Sequence, residues 1–146
     1  MQSIEITVSE SGKGKFIQDI IIGQHHLVAD EPIANGGNDE GPSPYDFLLA
    51  ALGTCTSMTL RAYAELKKIP LKRVVVKLKY QKIHAVDCKE CDNTNSRVDH
   101  IERIIELVGD LSQEQRSKLL EIANKCPVHR TLTSQISITT GLLKEP

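Results

Sequence analysis

The chain has no excess of charge of either sign: Lys plus Arg is 18 and Asp plus Glu is 19 in 146 residues. That balance leaves no electrostatic footprint for a polyanion, so nucleic acid is not an expected partner. Long apolar runs are missing too. The longest, Phe47 to Leu52, is far short of the roughly 20 residues a membrane-spanning helix needs. Residues 1 to 30 contain no basic stretch leading into an apolar one, as a secretory signal would. Cysteine is scarce, at four, which argues against a disulfide-stapled scaffold and leaves packing, metal binding or redox chemistry for the thiols. Gly36, Gly37 and Gly41 do not form a phosphate loop, because neither GxxxxGK[ST] nor GxGxxG is present. Repeats, low-complexity tracts and linkers are absent as well. The expectation is one cytoplasmic domain spanning 1–146, without a membrane or nucleic-acid partner. A domain of this length buries roughly 68–70% of the surface its unfolded chain exposes.

Residues 2 to 8 alternate apolar and polar, and KFIQDIIIGQHHLVAD continues with β-branched residues around Gly23, as an antiparallel hairpin does. The loop NGGNDEGPSP ends in Ser43 and Pro44, a helix N-cap followed by a first-turn proline. From Tyr45 to Lys68 there is no further proline, and FLLAALGTC is apolar or small on most sides, which predicts a central, buried helix roughly 36 Å long. Cys55 falls in the middle of it. Gly53 costs up to about 1 kcal/mol relative to Ala inside a helix, so close packing is expected there.

After Pro70, RVVVKLKYQKIHA alternates as a half-exposed strand. HIERIIELVGDL is ambiguous: Ile101, Ile104, Ile105 and Val108 fit a helical stripe about as well as alternation, and periodicity alone leans to helix. Ser112 and Gln115 form a capping box for a helix from Gln113 to about Lys125. Pro127 interrupts it, and TLTSQISITT predicts a closing strand. The fold class is α+β.

Two cysteines carry candidate chemistry. In CPVHRTL, Pro127 suits the first position of a short helix, making Cys126 its N-cap. Unpaired N–H groups there favour thiolate over thiol, and His129 and Arg130 add positive charge one turn on. A small hydrophobe at a helix end is the plainer reading of Cys126, and a core residue that of Cys55. Two cysteines on two core elements can, however, meet as attacking and resolving thiols. A separate constellation, His84, Cys88, Cys91 and His100, has zinc-ligand residue types without a standard finger spacing. It is open between a metal site, a reversible disulfide and ordinary loop cysteines.

Read together, GPSPYDFLLAALGTCTSMTLRAYA and CPVHRTL resemble the OsmC/Ohr family of osmotically inducible and organic hydroperoxide resistance proteins, and the likeness extends through the whole chain. It implies an OsmC-like α+β fold in which antiparallel sheets wrap long central helices in an intertwined homodimer. It also makes HIERIIELVGDL a strand. The implied activity is reduction of organic hydroperoxides with no metal, flavin or other cofactor. Cys55 matches the peroxidatic thiol, Cys126 the resolving thiol, and an external dithiol resets the disulfide. An apolar wall from Phe47, Leu48 and Met58 would suit a hydrophobic peroxide.

The chain departs from the family at two points. Where the family has a glutamate after the SP dipeptide, this sequence has Tyr45, followed by Asp46. No arginine precedes Arg61, so the arginine that stabilises the family's thiolate is missing unless Lys13, Lys15 or a residue of a partner chain substitutes, and lysine lacks the bidentate fork. Tyr45, Asp46 and His129 are candidate supporting residues. The alternatives are a divergent dimer that binds a small apolar ligand without catalysis, or a redox or metal sensor using the CxxC loop.

Overall fold

A computed structural model describes residues 3–84, 87–88 and 96–144. The chain divides into two compact units, Met1–Ala50 and Ala51–Pro146. In the first, β1 (Thr7–Glu10), β2 (Gln18–Ile22) and β3 (His25–Ala29) form an antiparallel meander. The turn between β2 and β3 begins at Gly23, whose φ of 57° suits a residue without a Cβ. Val8 pairs with Ile20 and Ile20 with Leu27. One sheet face therefore collects Val8, Ile20 and Leu27, which with Ile6, Ile22 and Phe47 line an apolar hollow of about 370 Å³.

The loop after β3 is organised by Asp30, which is buried and accepts backbone N–H bonds from Glu31 (2.7 Å), Asn38 (3.0 Å) and Glu40 (3.1 Å). Burial pushes its carboxyl up, but the three amides outweigh burial and the net shift is down. The folded-state value thus lies below the unfolded one. Its stabilisation is present above the unfolded value and is lost as pH falls through the folded one. Asp30→Asn is expected to lower Tm at neutral pH, with the gap to wild type closing below about pH 4. Thermal melts across pH check this, and a gap independent of pH would refute it.

Helix α1 (Pro44–Leu66) begins as expected from Ser43. Asp46 N–H donates to Ser43 Oγ (3.3 Å), and Ser43 N–H donates to Asp46 Oδ2 (2.9 Å), a reciprocal cap. Its buried stripe is Leu52, Gly53, Thr56, Leu60 and Ala64. The helix is not enclosed on all sides: Ala51, Thr54 and Ala62 are exposed, as is Met58, at 70%. Cys55 is half-buried rather than central to a buried rod.

In the second unit, β4 (Leu71–His84) and β5 (Arg97–Gly109) pair as an antiparallel hairpin. β5 is the segment whose periodicity leaned to helix. Ile101, Arg103, Ile105 and Leu107 are half-buried, whereas Glu102, Ile104, Glu106 and Val108 are exposed. Period two wins because β4 supplies a ladder along its whole length and only one strand face can meet the core. Leu60, Ala64, Leu71, Leu119, Ile122 and Ala123 form that core, with Ile105 and Leu107 packed on it. A Cβ on Gly53 would lie 2.8 Å from Leu78 Cδ1, the close approach expected at that glycine. Leu78 pairs with Arg103 across the ladder, so the approach also brings Arg103 to α1.

Helix α2 (Gln113–Ala123) has the predicted capping box between Ser112 and Gln115, and α3 (Pro127–Leu132) follows with Cys126 as its N-cap. The expected closing strand is not formed. Leu132 ends α3, and residues 133–144 carry no strand. A strand needs a neighbour for its ladder bonds. Among the described residues none pairs with this segment, and Ile138 is left 83% exposed. Among the described residues no helix is long and apolar enough to cross a membrane.

Candidate active site

Two consecutive residues of α1 face different surroundings. Cys55 opens on a hollow of about 500 Å³ lined by Ala51, Met58, Ala62, Pro127 and Val128 among others, while Thr56 is fully buried. The second sulfur is delivered by the chain between α2 and α3. A residue before proline is pushed to extended backbone, and Cys126 (φ −63°, ψ 141°) adopts it. Pro127 then starts α3, with no N–H to leave unpaired.

The first turn of α3 serves both sulfurs. His129 N–H donates to Cys126 Sγ at 3.3 Å, and Val128 N–H donates to Cys55 Sγ at 3.5 Å. The two cysteines are free thiols. Cys126 is fully buried. Burial pushes its thiol up, but the His129 amide, Cys55, Thr56 and the Arg103 charge together pull it down, and the net shift is down.

Arg103 is the cation at this site. Its Nη1 donates to Thr56 Oγ1 (2.9 Å), and its Nη2 donates to Asn124 Oδ1 (2.9 Å) and His129 Nδ1 (3.1 Å). Thr56 Oγ1 lies 3.9 Å from Cys126 Sγ and also bonds the Leu52 carbonyl at 2.7 Å. Guanidinium only donates, so His129 Nδ1 must accept and the ring is neutral, with its proton on Nε2. The positive charge expected at His129 is supplied by Arg103 instead. Arg103 and His129 share a second hollow, of about 450 Å³, with Asp99, His100 and Thr133.

The predicted Cys55, Cys126 and His129 are therefore brought together. Tyr45 and Asp46 lie in the first turn of α1, where Asp46 is spent on the Ser43 cap. Of the lysines named as substitutes, Lys15 sits over the Phe16 ring, 4.8 Å from its centroid. His84 pairs with Arg97 and His100 with Gln81, while Cys91 lies outside the described residues. Among the described residues no group of three or more His, Cys, Asp or Glu could hold a metal ion. Arg103 and Thr56 escaped sequence reasoning. The usable signal was an arginine on the apolar face of an alternating segment, and it is visible only once that segment is read as a strand.

A family model described as OsmC-like protein matches residues 36–141. No curated protein matches the chain by sequence. Among solved structures, an OsmC-like protein from Mycoplasma pneumoniae superimposes with a TM-score of 0.68 at 19% identity, covering 90% of this chain and 87% of that one. An organic hydroperoxide resistance protein from Elizabethkingia anophelis gives 0.66 at 19% identity, covering 91% and 89%. One from Legionella pneumophila, also described as OsmC, gives 0.65 at 16% identity, covering 91% and 90%. At these identities the likeness is one of fold, and it agrees with the α+β class.

Proposed function

Because the chain belongs to the OsmC-like protein family, we propose that it reduces organic hydroperoxides with Cys55 and Cys126 as a redox pair. The observation that carries this reading is that consecutive amides of α3, those of Val128 and His129, hold two free thiols, one of them open to an apolar hollow and the other buried. Several of its structural neighbours are described as organic hydroperoxide resistance proteins. Cys55 is the reachable sulfur and acts as nucleophile. Its thiolate attacks the outer oxygen of ROOH, the O–O bond breaks, and Cys55 becomes a sulfenic acid while the alcohol ROH leaves. Cys126 then attacks the Cys55 sulfur and expels hydroxide, leaving a disulfide. An external dithiol restores both thiols by exchange, which suits a reducing, cytoplasmic compartment. The Ala51, Met58, Ala62 and Val128 surface favours an apolar R group.

The working unit in this reading is a homodimer. The open apolar face of α1, the apolar hollow of the first sheet and the segment containing Ile136 and Ile138, unpaired among the described residues, each present surface that a second copy would cover.

The test is a thiol count with peptide mass spectrometry after one equivalent of cumene hydroperoxide is added to reduced protein, with hydrogen peroxide alongside. A Cys55–Cys126 disulfide forming faster with the organic peroxide is expected, in a particle whose light-scattering mass is twice that of the chain. Unchanged thiols would sink the proposal and favour a ligand-binding dimer. A disulfide confined to Cys88 and Cys91 would sink it in favour of the CxxC loop.

A further inference from the structure

We propose that the hollow of about 450 Å³ beside Arg103 is a second binding site, separate from the one at Cys55, for an organic acid anion: a small molecule with one carboxylate and an apolar body. Charge is the first pointer. Among the described residues the ion pairs are His26 with Asp19, Lys82 with Asp99 and Lys118 with Glu121, so no carboxylate sits on Arg103. Its Nη1 and Nη2 groups donate instead to the Thr56 hydroxyl, the Asn124 side-chain oxygen and the His129 ring. All three acceptors are neutral. They hold the guanidinium in place from α1, the end of α2 and α3 without offsetting its charge, and arginine stays charged at any working pH. Its Nε–H and second Nη1–H meet no acceptor among the described residues. A half-buried, fixed cation with donors to spare and no counter-charge is what an anion binds.

The hollow supplies the rest. Arg103 lines it, and its volume lies within the roughly 300–1,000 Å³ of small-molecule sites. Leu52 of α1, Ile101 of β5 and Leu132 of α3 give it apolar walls, which suit an apolar body and leave a second charge on the ligand unmatched. Asp99 lines the hollow too. It lies four residues along β5 from Arg103, roughly 13 Å at the rise of a strand, and its Oδ1 accepts from Lys82 Nζ at 3.0 Å and from the Tyr80 hydroxyl. Its charge is thus offset by Lys82, and Arg103 is left for the ligand.

The two hollows have different walls. Cys55, Met58, Pro127 and Val128 line the one on the thiol side, and none of them lines the one at Arg103. The carboxylate site therefore stands without the peroxide-reducing reading, and its failure would leave that reading untouched.

Benzoate is titrated into the reduced, full-length protein, labelled with nitrogen-15 and methyl carbon-13, and followed by NMR. Saturable binding at millimolar concentrations or below is expected, moving the Arg103 Nε–Hε signal and the Ile101 and Leu132 methyls and leaving the Met58 and Val128 methyls in place. Benzyl alcohol has the ring without the charge, and inorganic phosphate the charge without the ring. Each should bind about tenfold more weakly or worse. Arg103→Met should weaken benzoate by a similar factor, and Arg103→Lys should recover part of the loss, because the charge returns without the fork. If Arg103→Met does not fold, Thr133→Asp, at an exposed position on the same hollow, sets a carboxylate against the ligand and should weaken benzoate as well. The proposal is overturned by absence of saturation at millimolar benzoate, by shifts confined to the Met58 and Val128 side, or by benzyl alcohol or phosphate binding as tightly as benzoate. Unchanged benzoate affinity in folded Arg103→Met or Thr133→Asp would overturn it equally.

Discussion

Replacing Cys55 with serine is expected to stop organic hydroperoxide reduction, with turnover falling on the order of 10³-fold or more, as when a nucleophile is removed from a catalytic unit. A hydroxyl in the same place keeps the helix and the apolar hollow, so substrate access and fold are preserved while the thiolate chemistry is lost. Cys126→Ser should behave differently. Peroxide still reaches Cys55, but no second sulfur condenses with the product, so a sulfenic acid persists and is trapped by dimedone. Peroxide consumption and dimedone mass tagging on the two variants separate the roles. Equal, wild-type activity in both would remove the two-cysteine mechanism from consideration.

The largest effect on stability is expected from Leu119→Ala. Leu119 is fully buried on α2 and belongs to the core with Leu60, Ala64 and Leu71. Truncation loses transfer free energy and leaves a cavity, together about 2–5 kcal/mol, a large share of the roughly 5–15 kcal/mol that holds a domain together. Lys118→Ala, one residue earlier and exposed, should change stability by no more than about 0.5 kcal/mol. Urea unfolding of both variants measures the contrast, and similar midpoints would mean the core has been misidentified. The effect extends to the site, because α2 leads directly into Asn124 and Cys126. A loosened α2 should therefore raise the reactivity of Cys126 to alkylating agents.

Elements whose signals are local were readable before any coordinates. The Ser43 and Ser112 caps, the proline after Cys126 and the Gly23 turn each depend on residues within four positions, and each is found where it was expected. The missing side chain of Gly53 likewise implied a close approach, and Leu78 makes it. Two readings from periodicity failed because their deciding contacts lie far away in sequence, although the family likeness had already made the first of them a strand. The 101–108 segment satisfies both periods, and only its ladder with β4 selects the strand. The 132–138 segment alternates as a strand should, yet finds no partner among the described residues of its own chain.

The same division runs through the site. Cys126 as an N-cap beside a proline follows from four consecutive residues, and the pairing of Cys55 with Cys126 followed from the likeness of two motifs to one family. The source of positive charge did not. His129, one turn from the thiol, looked cationic, but its ring accepts a bond from Arg103 and is neutral. Arg103 is 23 positions from Cys126 and 47 from Thr56 along the chain. Local backbone preference acts through neighbouring residues and can be read in order along the chain. Charge and burial act through space, so the Arg103 guanidinium reached the site only when α1, β5 and the start of α3 came together around one buried hydroxyl.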